Sequence, residues 1–172
     1  DIGLNLNQTK FEIAQLNYLK KNKSNFQLKI IGNFEQDKNL NLKKININKK
    51  NNKIEINNLV LRNDNTIIKI NEANFDYVDI ENKLNQFNIK KLKKNNYEFE
   101  GLAFNANTLI TNILEEKNKK ENKIFENNLN LNLNINEVYI DETYFVKNLK
   151  GKLSFQNNKV TNANISANFK NK

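Results

Sequence analysis

Acid–base chemistry in this chain would have to come from carboxylates alone. Asp76, Asp79 and Glu81 stand close together, as do Asp141 and Glu142, and two carboxyl groups are in principle enough for glycoside hydrolysis. No residue of another type supports them. The 172 residues include no His and no Cys, which removes the commonest general base and metal ligand, thiolate zinc sites and disulfides together. There is no P-loop, glycine-rich phosphate loop or EF-hand loop, and the carboxylates fall in turn-like or strand-end stretches. The expectation is a chain that is not an enzyme and that uses no cofactor and no metal.

What surrounds these residues is alternation. Ile2, Leu4 and Leu6 recur with period two, as do Leu40 and Leu42, Ile45 and Ile47, Ile54 and Ile56, Leu59 and Leu61, and Ile68 and Ile70. The longest run sets Leu129, Leu131, Leu133 and Ile135 against Asn130, Asn132 and Asn134. Such spacing gives strands with one apolar and one amide face. Between the runs lie Lys50-Asn51-Asn52-Lys53, Asn63-Asp64-Asn65, Lys94-Asn95-Asn96 and Gln156-Asn157-Asn158-Lys159. Asn tolerates positive φ better than any other non-Gly residue, so these read as hairpin turns. With no Pro and four Gly, little interrupts the strands, and turn spacing suggests lengths of about eight residues, roughly 26 Å.

One segment breaks the period. From Asn107 to about Lys120, Leu109, Ile110, Ile113 and Leu114 fall at helical spacing, Glu115 and Lys119 form an i, i+4 pair, and Asn105 or Asn107 can cap the start. This helix reads as a lid whose apolar face packs on the end of the sheet, followed by a charged connection over 117–123. The fold class expected is therefore mainly β: an elongated, curled antiparallel sheet, a U-shaped groove, with one short α-helix. Three regions follow: 1–103, a first antiparallel β region; 104–123, helix and charged linker; 124–172, a second β region continuing the same groove.

Composition restrains the function classes. Asn accounts for 41 residues and Lys for 27 of the 28 positive charges, with Arg62 the single Arg. This is the bias of an AT-rich genome, so the net charge of +9 is weak evidence for a polyanion partner. Dispersed Lys with almost no Arg argues against nucleic acid, whose phosphates are met by clustered cations. No stretch approaches the roughly 20 apolar residues of a membrane span, and no signal-peptide core is visible. The absence of Met and the start at Asp1 read as an excerpt from a longer protein.

A resemblance sharpens this picture. Phe104-Asn105-Ala106-Asn107-Thr108-Leu109-Ile110, a charged linker, the run Leu131 to Ile140, and Asn148-Leu149-Lys150-Gly151-Lys152-Leu153-Ser154-Phe155 resemble the YhdP/TamB type of the AsmA-like family. Val160, Ala163, Ile165, Ala167 and Phe169 complete the hairpin, and the match covers about 97–169. Asn105 stands where Asp is usual, and Asn157-Asn158 where Gly is commoner. The resemblance implies a periplasmic β-groove, anchored in the inner membrane by a segment outside this chain, that conducts phospholipid between inner and outer membranes. On that reading acyl chains lie on Ile45, Ile47, Ile54, Ile56, Ile68, Ile70, Leu129, Leu131, Leu133, Ile135, Leu153 and Phe155. Two alternatives stay open: a structural or adhesive β-solenoid or β-sandwich with a dry core, and a groove like that of a lipopolysaccharide bridge.

Overall fold

The computed structural model describes residues 1–33, 39–115, 125, 128–141, 143–157 and 159–170. Its elements are β1 (Ile2–Asn5), β2 (Phe11–Ile13), a 3-10 turn (Ala14–Leu16), β3 (Tyr18–Lys20), β4 (Gln27–Asn33), β5 (Leu40–Lys49), β6 (Asn52–Leu61), β7 (Ile67–Lys69), β8 (Glu72–Val78), β9 (Leu84–Lys91), β10 (Asn96–Asn105), α1 (Asn107–Glu115), β11 (Leu129–Tyr139), β12 (Phe145–Gln156) and β13 (Lys159–Lys170). The fold is mainly β, as the alternation predicts. Ten strands form one open sheet in the order β1-β4-β5-β6-β8-β9-β10-β11-β12-β13, with β7 paired to β6 beside β8. β2 and β3 make a separate hairpin.

Among the described residues, every pair of strands in the large sheet is antiparallel except β10 with β11, which is parallel. The reason is the helix. A parallel neighbour requires the chain to return to the end at which it began, a crossover of a dozen or more residues, and 106–128 supplies it. Asn105 starts the crossover, because its Oδ1 accepts a hydrogen bond from the Asn107 backbone N–H at 3.1 Å, satisfying a donor at the open end of α1. The described helix ends at Glu115; the expected continuation to Lys120, the Glu115–Lys119 pair and the linker 117–123 lie outside the described residues.

Register turns the alternation into continuous rows. Ile2, Ile30, Ile45, Ile56, Ala73, Ile89, Phe99, Leu133, Gly151 and Ile165 are successive cross-strand partners over all ten strands. A second row runs Leu4, Leu28, Ile47, Ile54, Phe75, Phe87, Gly101, Ile135 and Leu149. Cross-strand neighbours on one face stabilise a sheet by direct side-chain contact, and here each row is almost purely apolar. The opposite face carries Asn46, Glu55, Asn74, Asn88, Glu100 and Asn134 in the same order.

The strands are longer than eight residues: β5, β6 and β10 have ten, β12 and β13 twelve. Length is gained by kinking strands without ending them. The apolar spacing slips from two to three between Ile56 and Leu59, facing an equal slip between Leu42 and Ile45, and again between Ile135 and Val138 facing Val146 and Leu149. At these slips Asn58 and Asn148 take φ of 51° and 54°, the left-handed region that Asn tolerates. The four expected turns all connect strands, but the left-handed residue is Lys50 in the first and Lys94 in the third, Asn65 and Asn157 in the others; Asn158 lies outside the described residues.

A single flat sheet would leave both rows in water. Their middle, from β4 to β11, is buried or half-buried because the sheet curls around it and because the β2–β3 hairpin fills one end of the trough. Tyr18 and Phe26 are buried there with Phe11 against them, and the Tyr18 ring meets the Tyr77 ring edge-on at 5.3 Å. Tyr77 Oη donates to the Leu16 carbonyl at 2.7 Å. Lys20 is enclosed as well: its ammonium donates to the carbonyls of Leu6 (2.6 Å), Asn7 (3.0 Å) and Thr9. Burial, with Lys49 adding to it, holds its pKa below the ordinary lysine value.

Candidate functional site

The clustered carboxylates serve as fixed acceptors at the plugged end. Asp79 Oδ1 accepts the backbone N–H groups of Glu81 and Lys83, both at 2.9 Å, which shapes the β8–β9 turn. Its Oδ2 accepts the side-chain amides of Asn85 (3.0 Å) and Asn105 (2.8 Å). Asn105 also donates to Glu81 Oε2 at 3.0 Å, and Asn17 donates to Glu81 Oε1 at 2.8 Å. The network thus ties the 3-10 turn, the β8–β9 turn, β9 and the start of α1 together. Asp76 accepts the Gln86 amide, at 3.3 Å. Asp141 accepts the N–H groups of Tyr144 and Thr143, both at 2.7 Å, and these bonds hold its carboxyl below the usual range. Glu142 lies outside the described residues.

The apolar face divides into a filled part and an open part. Over β4 to β11 it is closed: Ile54 and Ala73 have no exposed surface, and Ile47, Phe75, Phe87, Phe99 and Ile135 are buried around them. Four phenylalanines make the centre. Phe75 stacks on Phe87 at 4.5 Å, Phe87 meets Phe99 at 5.0 Å and Phe104 at 5.1 Å, and Phe99 meets Phe104 at 5.1 Å. Aromatic pairs in these geometries add to the burial of their area. Ile110 of α1 packs against the buried core, while Leu109, expected on the same packing face, is exposed.

Towards β13 the cover runs out. Leu131, Leu149 and Leu153 are half-buried against the cluster. Beyond them, on β13, Val160 is 42% exposed, Ile165 52% and Phe169 75%. These residues share a face, since Phe155 pairs with Val160, Leu153 with Ala163 and Gly151 with Ile165. Among the described residues, none lies beyond β13 in the sheet. The other edge, β1, also exposes Ile2 and Leu4, over only four residues.

The sequence-predicted lining residues distribute over both parts. Ile47, Ile54, Leu133 and Ile135 are in the filled core, with Ile45, Ile56, Ile70, Leu131 and Leu153 packed against it. Leu129 is buried outside that cluster, and Ile68 and Phe155 are half-buried outside it. The phenylalanine group was absent from the predicted set although its signal is in the sequence: Ala73, Phe75 and Tyr77, Phe87 and Ile89, and Tyr97 and Phe99 alternate as clearly as the isoleucines. The open strip on β13 was likewise legible as a strand, with nothing to say that it stands uncovered.

The polar face has its own relief. A shallow cleft of about 520 Å³ lies there, lined by Asn74, Asn88, Glu100, Leu102 and Asn134 among others, with the Asn88 amide donating to Asn74 Oδ1 at 2.6 Å. Leu102 stands in it because β10 bulges between Gly101 and Ala103 against β9. Compared with known proteins, the chain matches no family model, no curated protein and no solved structure.

Proposed function

We propose that this chain is a lipid-binding β-groove module of AsmA-like type, in which acyl chains lie on the open strip of β13, along Val160, Ala163, Ile165 and Phe169, bordered by half-buried Leu153 and Phe155 of β12. The observation that carries the reading is the contrast along one face: the same apolar rows that are closed over in β4 to β11 stand in water on β13. A contiguous apolar strip held in water is a binding surface by default. Each acyl methylene that it covers contributes about 0.8 kcal/mol, and movement between equivalent apolar positions is nearly free of cost, which suits conduction better than storage. Lys150 and Lys152, exposed on the outward face of β12, favour an anionic phospholipid headgroup at the open edge. The reading carries with it an envelope setting, with the chain in the periplasm and its membrane anchors outside this sequence.

A second reading has its own support. The dry phenylalanine centre and the fully enclosed Ile54 are what a structural β module needs, and on that reading β13 is an edge awaiting protein. Mass spectrometry of lipid retained by the purified protein separates the two. Phospholipid retained by the unaltered chain and lost from folded Ile165→Asp supports the groove. Lipid-free protein that takes up no added phospholipid supports the structural module.

A further inference from the structure

The outward face of the sheet carries its polar residues in rows. Glu55, Asn74, Asn88, Glu100 and Asn134 are successive cross-strand partners from β6 to β11, about 19 Å at the spacing of adjacent strands. Lys53, Asp76 and Gln86 begin a second row beside them. The β10 bulge between Gly101 and Ala103 puts Leu102 at its end, 55% exposed. These rows line the cleft of about 520 Å³, and Leu102 and Asn136 line both it and a second hollow of about 410 Å³ that reaches Leu84 and Tyr139.

We infer that this cleft binds a neutral glycan, with sugar rings in the two hollows and their C–H faces against Leu102. Sugar hydroxyls donate and accept at once, and so do side-chain amides. Five amides line the larger hollow, together with three carboxylates, which accept from hydroxyls, and one ammonium. Glu55 is already held by Lys44 at 2.8 Å and Lys53 at 3.4 Å. Among the described residues, the side chains of Glu100, Asn134 and Asn136 have no hydrogen-bond or ion-pair partner, so they are available to a ligand. Charge narrows the choice of ligand. The hollow has more carboxylates than ammonium groups in a chain of net charge +9, so phosphates, sulfates and uronic acids are repelled. Genome bias accounts for abundant Asn but not for this local reversal of sign. A protein partner would need a contiguous apolar centre, whereas Leu102 stands among amides. Affinity is weak, because a shallow cleft leaves much of its ligand in water. The site lies on the face opposite the apolar strip and does not depend on lipid.

Side-chain amide NMR of the isotope-labelled chain tests this, with separate titrations of maltohexaose, cellohexaose, chitohexaose, an anionic hyaluronan hexasaccharide and spermine. Saturable shifts of Asn134 and Asn136 with at least one neutral glycan, and none with the hyaluronan fragment, are the expected result. Leu102→Ala and, independently, Asn134→Ala each weaken that binding about tenfold without changing the circular dichroism, whereas Asn164→Ala, on the same face but far from the cleft, leaves it unchanged. Absence of shifts with all three neutral glycans, shifts spread over the Asn-rich surface at large, equal shifts with the hyaluronan fragment, or occupation of the cleft by spermine alone overturns the inference. Glycan binding is measured in folded Ile165→Asp as well, where it is retained, so the lipid reading and this one fail separately.

Discussion

The side-chain amide of Asn105 stands between two carboxylates, 2.8 Å from Asp79 Oδ2 and 3.0 Å from Glu81 Oε2. It must donate to both. An Asp at this position would put a third carboxylate where only a donor fits, which makes the amide a structural requirement of this chain's own plugged end.

Asn105→Asp is therefore expected to cost about 2–4 kcal/mol near neutral pH, the range for a buried charge without a partner and a lost amide bond. Acid reduces the loss, because protonating the introduced carboxyl restores a donor. Urea unfolding at two pH values measures this; an equally large loss at both would mean that geometry, and not charge, is at fault.

Gly151 faces Ile165 across β12 and β13 with φ of 148°, and a Cβ there would sit 2.1 Å from the Asn164 carbonyl oxygen. Gly151→Ala should cost more than about 2 kcal/mol, combining conformational strain with displacement of β13. Gly3→Ala meets nothing within 4 Å and should be neutral or stabilise by up to about 1 kcal/mol. Comparable effects would refute the close approach at β12–β13.

The two ends of the apolar face should respond differently to truncation. Ile54→Ala removes a side chain with no exposed surface and is expected to destabilise by about 2–5 kcal/mol. Ile165→Ala, at an exposed position, should cost under about 1 kcal/mol. Thermal unfolding of both variants checks the division between filled and open parts.

Alkaline pH should unfold the protein. Burial raises the hydroxyl pKa of Tyr18, Tyr77, Tyr97 and Tyr139 above the ordinary 10.0, that of Tyr139 to about 12 with Glu137 adding to it. A raised folded pKa contributes stability that is complete below pH 10 and is lost as pH climbs through the folded values. Lys20 acts oppositely, its lowered pKa favouring the fold as pH rises towards 10.5, but four tyrosines oppose one lysine. Phenolate absorbance should rise together with loss of β-sheet circular dichroism; tyrosines ionising near pH 10 in folded protein would contradict their burial.

Much of the sheet was legible because a one-faced strand must alternate. Ile45 against Ile56 and Ile89 against Phe99 follow from period two once the turns at Lys50 and Lys94 are placed. The parallel β10–β11 pair was not legible, since alternation carries no direction and only the 106–128 crossover sets it. Nor were the kinks at Asn58 and Asn148, where a three-residue spacing looked like the boundary between runs. The burial of Ile54 and the exposure of Ile165 were hidden for a similar reason: both are isoleucines in equivalent patterns, and only distant packing by Phe75, Phe87 and the β2–β3 hairpin distinguishes them.

The central claim is that acyl chains occupy the strip on β13, and the lack of Trp allows one fluorophore to report on it. Phe169→Trp places it on the strip, and Tyr144→Trp places it at an exposed position in the β11–β12 turn. Phospholipid brominated along its acyl chain is then added to each. Strong quenching of Phe169→Trp with little effect on Tyr144→Trp is the result predicted. Equal quenching of both, or of neither, would contradict lipid binding on this face.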